Sequence, residues 1–240
     1  MKIVYSYYNY DGNGPSEFLL KCAKLSLLSL RVCCPDLEAI LYTTHDCVKY
    51  FANFEIVNYD EIIESDFNMK DIDSRYWNYS KIWTYAHQDE PFLHIDFDTV
   101  ILDNFTIPDT DVVVERARPY EICDDIQAHS IEGCLLPSKL LCSGFIGGKN
   151  LDIFKELYEY ATIRCSKEYN KDIDVSYEHL NSIEELAFSQ LVAKNKLNYD
   201  VLTPGRFVHM WTPRSIDKEE ACSANVESLL NFFTIRKMHP

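Results

Sequence analysis

The chain has 240 residues, 47% of them hydrophobic and 25% charged, a composition that supports a folded globular protein with a substantial core. The formal net charge is −15, from 38 acidic against 23 basic residues, and no basic stripe interrupts it, which argues against a nucleic-acid binder. No run of about 18 apolar residues is present to span a bilayer.

Nine cysteines are spread along the chain without a CxxC pair, so the spacing carries no zinc-ribbon or thioredoxin signal. MKIVYSYYNY lacks the apolar core of a secretory leader. Reduced, mostly buried thiols in a cytoplasmic protein are expected. An acidic protein also repels phosphorylated ligands, so a phosphate site would need a metal ion, lysine or arginine beside it.

Lys2–Tyr8 is rich in β-formers and reads as a first strand, followed by a glycine turn at 11–15. Apolar residues at 18, 19, 22, 25, 28 and 32 predict a helix over Glu17–Cys33, capped by Ser16 and ended by Pro35. Ala39–Tyr42 predicts a strand, Thr43 and Thr44 a cap for a short helix through Phe51, and Phe54–Val57 another strand. This alternation is the pattern of a parallel sheet built from βαβ units. A helix is expected over Arg75–Gln88, its aromatic stripe serving core packing, then a strand in PFLHIDFD from Pro91 and a short buried strand at Asp111–Glu115. Residues 116–138 read as a loop excursion. Gly144–Gly147 predicts a strand, and Asn150 caps a helix to about Cys165. After a polar link at 166–178, Ser182 and Glu185 suggest a capping box for a helix to Lys194. Tyr199–Leu202 and Arg206–Trp211 read as late strands. No repeat or linker divides the chain, so one α/β domain is expected over 1–240.

The apolar run PFLHIDFDTVIL carries Asp96 and Asp98 one residue apart. Residues two apart on a strand share a face, which would place both carboxylates and His94 on one side. A half-exposed strand with a wet face accounts for that alternation. The position after several βα units favours another reading. Ligands of open α/β sheets bind beyond the carboxyl ends of strands, and two hard oxygen ligands there suit Mg²⁺ or Mn²⁺.

Two families carry such a pair. DFDTV resembles the first motif of haloacid-dehalogenase-like phosphatases, in which Asp96 would be nucleophile and Asp98 general acid/base. Those enzymes place the motif near the N-terminus and need a later GDxxxD-type pair, which this chain lacks. The other resemblance is to nucleotide-sugar glycosyltransferases of the GT-A fold, distantly to the glycogenin and galactosyltransferase-like group. SKIWTYAHQDEPFLHIDFDTVILDNF resembles their Ser/Thr-Lys helix and DxD strand. CSGFIGGKNLDIFKELYEYA resembles the following SG strand and helix, IEELAFSQLV the acidic helix, and FVHMW the late strand that presents a histidine. DxD alone is weak, but the ordered set over residues 75–211 is much stronger.

The resemblance implies a mixed, mostly parallel sheet flanked by helices. Residues 1–100 would form a nucleotide-binding half ending in DxD, and 101–240 an acceptor-side half. It implies a divalent metal on Asp96, Asp98 and His209, with Asp96 also reaching the ribose or sugar. Lys81, with Arg75 as a weaker candidate, would contact the donor phosphate or sugar. Ser143 and Gly144 would let the chain pass close to the sugar, although Cys142 replaces the Asn that usually precedes them. Arg214 would stand in for the lysine that the family places after its histidine. Tyr5 and Tyr7, or Tyr8, would hold the base and ribose. Glu184, Glu185, Asp125 and the neighbouring Asp124 are the candidate bases or acceptor contacts. The implied ligands are a nucleoside diphosphate sugar and a glycan or other hydroxyl acceptor. The altered residues at Cys142 and after His209 leave room for a binder that keeps the fold without the chemistry.

Overall fold

The computed structural model describes the chain except residues 11, 55, 68, 121–129, 174–182, 203–204, 211–215 and 239–240, with 216–224 and 238 described by their backbone only. Strands β1 (Lys2–Tyr7), β2 (Ala39–Thr43), β3 (Glu61–Glu64), β4 (Phe92–Ile95), β6 (Val112–Pro119), β7 (Lys139–Gly148) and β8 (Tyr199–Val201) form a seven-stranded sheet in the order β3-β2-β1-β4-β7-β6-β8. β7 is antiparallel to both its neighbours, β4 and β6, while the other pairings are parallel. The sheet is therefore mixed and mostly parallel, as the resemblance implies. β5 (Thr99–Ile101) and β9 (Phe207–His209) form a separate antiparallel ribbon.

Local chemistry sets the helices. α1 (Glu17–Cys33) begins where the Ser16 hydroxyl accepts from the Leu19 amide. α2 (Val48–Phe51) follows a single 3₁₀ turn, and Thr44 at its start makes no side-chain cap. α3 (Tyr79–Ala86) is shorter than the aromatic run predicts, because the chain from Arg75 to Asn78 runs through turns. α4 (Leu151–Arg164) is capped by Asn150 Oδ1 accepting from the Ile153 amide, and α5 (Lys167–Asn170) lies in the expected polar link. A π-helical turn at Ile183–Ala187 runs into α6 (Phe188–Lys194). The last helix, α7 (Ile216–Met238), was not expected. Its apolar residues Val226 and Phe233 are buried in the core beside α1.

Strand alternation feeds two cores. Ile3, Tyr5, Leu93, Ile95 and Phe145 face the layer of α1 and α7, while Val4, Phe92, Val112, Val114 and Ile146 face α3, α4 and α6. Each fully buried Leu or Phe contributes about 1.5–3 kcal/mol, so the two layers account for a rigid platform under the strand ends. Where a strand was expected at Phe54–Val57, Phe54, Ile56 and Val57 are in no strand and pack on the first core, and the third strand is Glu61–Glu64. β6 also runs past Glu115 to Pro119, into the region expected as loop.

Candidate metal centre

β4 ends at Ile95, and Asp96, Phe97 and Asp98 turn beyond its carboxyl end. The turn is closed by the Thr99 amide, which donates to Asp96 O at 3.1 Å. Phe97 anchors it from beneath, stacked on Tyr5 at 5.8 Å and on Phe51 at 5.6 Å between ring centroids. The β5–β9 ribbon then pairs Thr99 with His209, and the Met210 amide donates to Asp98 O at 2.6 Å. That ribbon carries a histidine from the end of the chain onto the acidic turn.

One ligand atom each from Asp96, Asp98 and His209 lies within 4.8 Å of the others. His209 Nε2 is 3.1 Å from Asp98 Oδ1, and its Nδ1 is 2.9 Å from Glu115 Oε2. Lys81 places Nζ 2.9 Å from Asp96 Oδ1 and 3.0 Å from Glu184 Oε1. The Tyr85 hydroxyl donates to Glu184 Oε1 at 2.6 Å. Four carboxylates thus face one lysine and one histidine in a mostly buried cluster, so the charge balance favours a further cation. Two carboxylates and an imidazole are donors that suit a hard divalent ion such as Mg²⁺ or Mn²⁺.

The electrostatics of the individual groups reflect the same imbalance. Burial raises the Asp96 carboxyl to about 6, with Asp98 adding to the effect and Lys81 opposing it. Burial works against a charged His209, but its hydrogen bonds to Asp98 and Glu115 outweigh it and raise the imidazole to about 10. Burial also disfavours a charged Lys81, yet Asp96 and Glu184 hold its pKa above the usual value. His94 behaves oppositely. Burial, then the Lys81 charge, pushes it well below the usual range, so the ring is neutral. Its Nε2 meets Ser6 Oγ at 2.9 Å, while Nδ1 is buried without a hydrogen bond, 3.7 Å from Asp96 Oδ1. His94 therefore backs the site and does not reach it as a ligand.

The cluster brings Asp96, Asp98, His209, Lys81 and Glu184 together. Glu185 lies apart, with its carboxylate accepting from Arg118 Nη2 at 2.8 Å. The capping box expected of Glu185 involves Ser182, which lies outside the described residues. Asp124, Asp125 and Arg214 also lie outside them. Tyr5 is corrected: its side chain is fully buried between Phe97, Tyr59 and Ser26, with no surface for a ligand. Tyr7 is half-buried against Phe51, and Tyr8 packs on Phe67. Arg75 lies away from the cluster, its guanidinium bonded to Asp73 and to the carbonyls of Asn170 and Ile173. Ser143 is half-buried on β7. At Gly144, a Cβ would lie 2.2 Å from Glu115 Oε2 and 2.5 Å from His209 Nδ1, so this glycine makes room for that pair. Glu115 and Tyr85 were not anticipated. Glu115 had a signal of the same kind as Asp96, an acid closing an apolar run in DVVVE.

Among the described residues, seven cysteines are free and no helix is long and apolar enough to cross a membrane.

Residues 1–114 match a family described as of unknown function (DUF6734). No curated protein matches the chain in sequence. Among solved structures it is similar to an active-site mutant of LgtC, at 12% identity and a TM-score of 0.53 over 96% of this chain and 95% of that one. It is similar to the galactosyltransferase LgtC in complex with donor and acceptor sugar analogues, at 12% identity and a TM-score of 0.50 over the same shares, 96% and 95%. It is also similar to the PaToxG glycosyltransferase, at 14% identity and a TM-score of 0.51 over 97% of this chain and 77% of that one. The chain has the GT-A glycosyltransferase fold.

Proposed function

We propose that the protein is a metal-dependent glycosyltransferase that moves a hexose from a nucleoside diphosphate sugar to a glycan or other hydroxyl acceptor. The observation that carries the reading is the convergence of Asp96, Asp98 and His209 within 4.8 Å, beyond the carboxyl end of β4 in a GT-A fold. The phosphatase reading of DFDTV loses its support, since its motif belongs on the first strand of a different fold and Asp96 follows the fourth strand here.

In this reading 1–240 is one domain, with the first hundred residues binding the nucleotide and the remainder facing the acceptor. Asp96, Asp98 and His209 would hold a divalent cation, which supplies positive charge to the departing diphosphate. The chain's own groups do the rest. Lys81 neutralises Asp96 and Glu184 and keeps both carboxylates in place. Tyr85 orients Glu184 by donating to it. Glu184, Glu185 and Asp125 are the carboxylates we assign to the acceptor side, as base or hydroxyl contact. Ser143 and Gly144 would let the donor sugar pass close to the chain, Tyr7 would hold the base, and Arg214 would contact the diphosphate.

A thermal-shift panel of nucleoside diphosphates and their sugars, with and without Mn²⁺, tests the proposal. Binding to the native state raises the melting temperature with affinity and concentration. One base should give an Mn²⁺-dependent rise that Asp98→Asn abolishes. A fold retained without the chemistry would instead give no rise with any donor and no turnover.

A further inference from the structure

We infer that Glu115 is a positioning residue for the metal centre: it acts through His209, holding the imidazole with Nδ1 as donor and Nε2 turned to the cation. The inference rests on the metal-dependent reading above.

Three observations carry it. Glu115 closes the apolar run Val112–Val114 and is 8% exposed, a costly place for a carboxylate without a partner. Its Oε2 meets His209 Nδ1 at 2.9 Å, on the opposite side of the ring from the Nε2 that faces Asp98 at 3.1 Å. Glu115 is also not part of the trio whose ligand atoms converge, so it sits behind a ligand and not among the ligands.

The backbone is shaped around this pair. β6 and β7 pair Val114 with Ile146 and then Arg116 with Cys142. One β6 residue, Glu115, therefore faces three on β7: Ser143, Gly144 and Phe145. Such a bulge re-aims side chains at the expense of ladder hydrogen bonds. Here the Gly144 carbonyl accepts from the Asp96 amide at 3.1 Å. At the same residue, the missing Cβ leaves the space that Glu115 and His209 fill. A metal-ligating histidine commonly gives its other N–H to a carboxylate, which fixes tautomer and ring orientation and makes the ligand nitrogen more basic.

The test titrates the full chain with Mn²⁺ alone, by calorimetry, and needs no nucleotide or activity. The proteins are wild type, Glu115→Gln, Glu115→Ala, His209→Ala and the Glu115→Gln/His209→Ala double variant. Glu115→Gln should lose about 10–100-fold in Mn²⁺ affinity, and Glu115→Ala at least as much. In the His209→Ala background Glu115→Gln should cost nothing further, because its effect runs through the histidine. Affinity within about twofold of wild type for Glu115→Gln would overturn the inference, and so would an equal loss in both backgrounds. If Glu115→Ala does not fold, the isosteric Gln variant decides. A Gln variant that fails to fold would make the carboxylate structural and overturn the inference as well. Wild-type protein that binds no Mn²⁺ would remove the metal-dependent reading and this inference together. Wild-type binding with an indifferent Glu115→Gln would remove the inference alone.

Discussion

Lys81 holds Glu184 at 3.0 Å while it also holds Asp96 at 2.9 Å, and the lysine and Glu184 side chains are nearly closed to solvent. Two carboxylates far apart in the sequence, Asp96 and Glu184, therefore share one buried cation. Removing that cation would leave both charges without compensation. Lys81→Ala should destabilise the metal-free protein by about 3–5 kcal/mol, the range for breaking a buried ion pair from one side. Urea unfolding of the two proteins measures it, and Mn²⁺ should recover part of the loss. A variant as stable as wild type would mean that water reaches the carboxylates.

Gly144→Ala asks whether the space beside His209 is needed. The added Cβ would lie 2.2 Å from Glu115 Oε2 and 2.5 Å from His209 Nδ1, too close for either to stay. We expect a loss of at least about tenfold in Mn²⁺ affinity with the far-UV circular dichroism unchanged, as outer-shell changes typically cost this much or more. Unaltered Mn²⁺ binding would show that the pair can shift without consequence.

Metal binding should depend on pH with a defined sign. Between Asp98 and Glu115, His209 is raised to about 10, so near neutrality a proton occupies the nitrogen that a cation would need. A cation must displace it, and affinity should rise about tenfold per pH unit from pH 7 to 9. Below about 6, where Asp96 also gains a proton, the dependence should steepen. Calorimetry in two buffers of different ionisation enthalpy should report about one proton released per Mn²⁺ at pH 7.5. Release near zero would place the histidine's pKa below neutrality.

Away from the site, Asp73 governs part of the acid stability. Its hydrogen bonds to Arg75 hold its carboxyl below the usual value. A carboxyl whose pKa is depressed by folding contributes stability above its unfolded pKa and loses it as pH falls through its folded value. Asp73→Asn should cost about 1 kcal/mol at pH 7, a figure discounted for the partial exposure of the pair. The difference from wild type should close at pH values below the ordinary carboxylate range. Equal unfolding midpoints at pH 7 would show that solvent screens the pair.

Much of this was legible from neighbouring residues. Ser16 and the apolar spacing after it define α1 to both of its ends. The acids in HIDFDTV, the lysine of SKIW and the histidine of FVHMW marked a cluster that the fold assembles. Other features were not local. Phe54 and Val57 looked like a strand from their residue types, but they are buried outside any strand against the first core, whereas β3 is the sparsely apolar EIIE. Tyr5 looked available at a strand end, and tertiary packing against Phe97, Tyr59 and Ser26 removes it from the surface. α7 has no clear apolar stripe in the sequence, and its burial depends on α1 beside it.

The amino-acid sequence alone determined where the capped helices α1 and α4 start and where charge interrupts an apolar run, because capping and side-chain alternation act over a few residues. Only the tertiary structure decided which of those charges meet. The β5–β9 ribbon sets His209 against Asp98, α3 turns Lys81 between Asp96 and Glu184, and the β7 bulge admits Glu115. Those contacts are set by strand register and by a missing Cβ, and neither leaves a periodic mark on the chain.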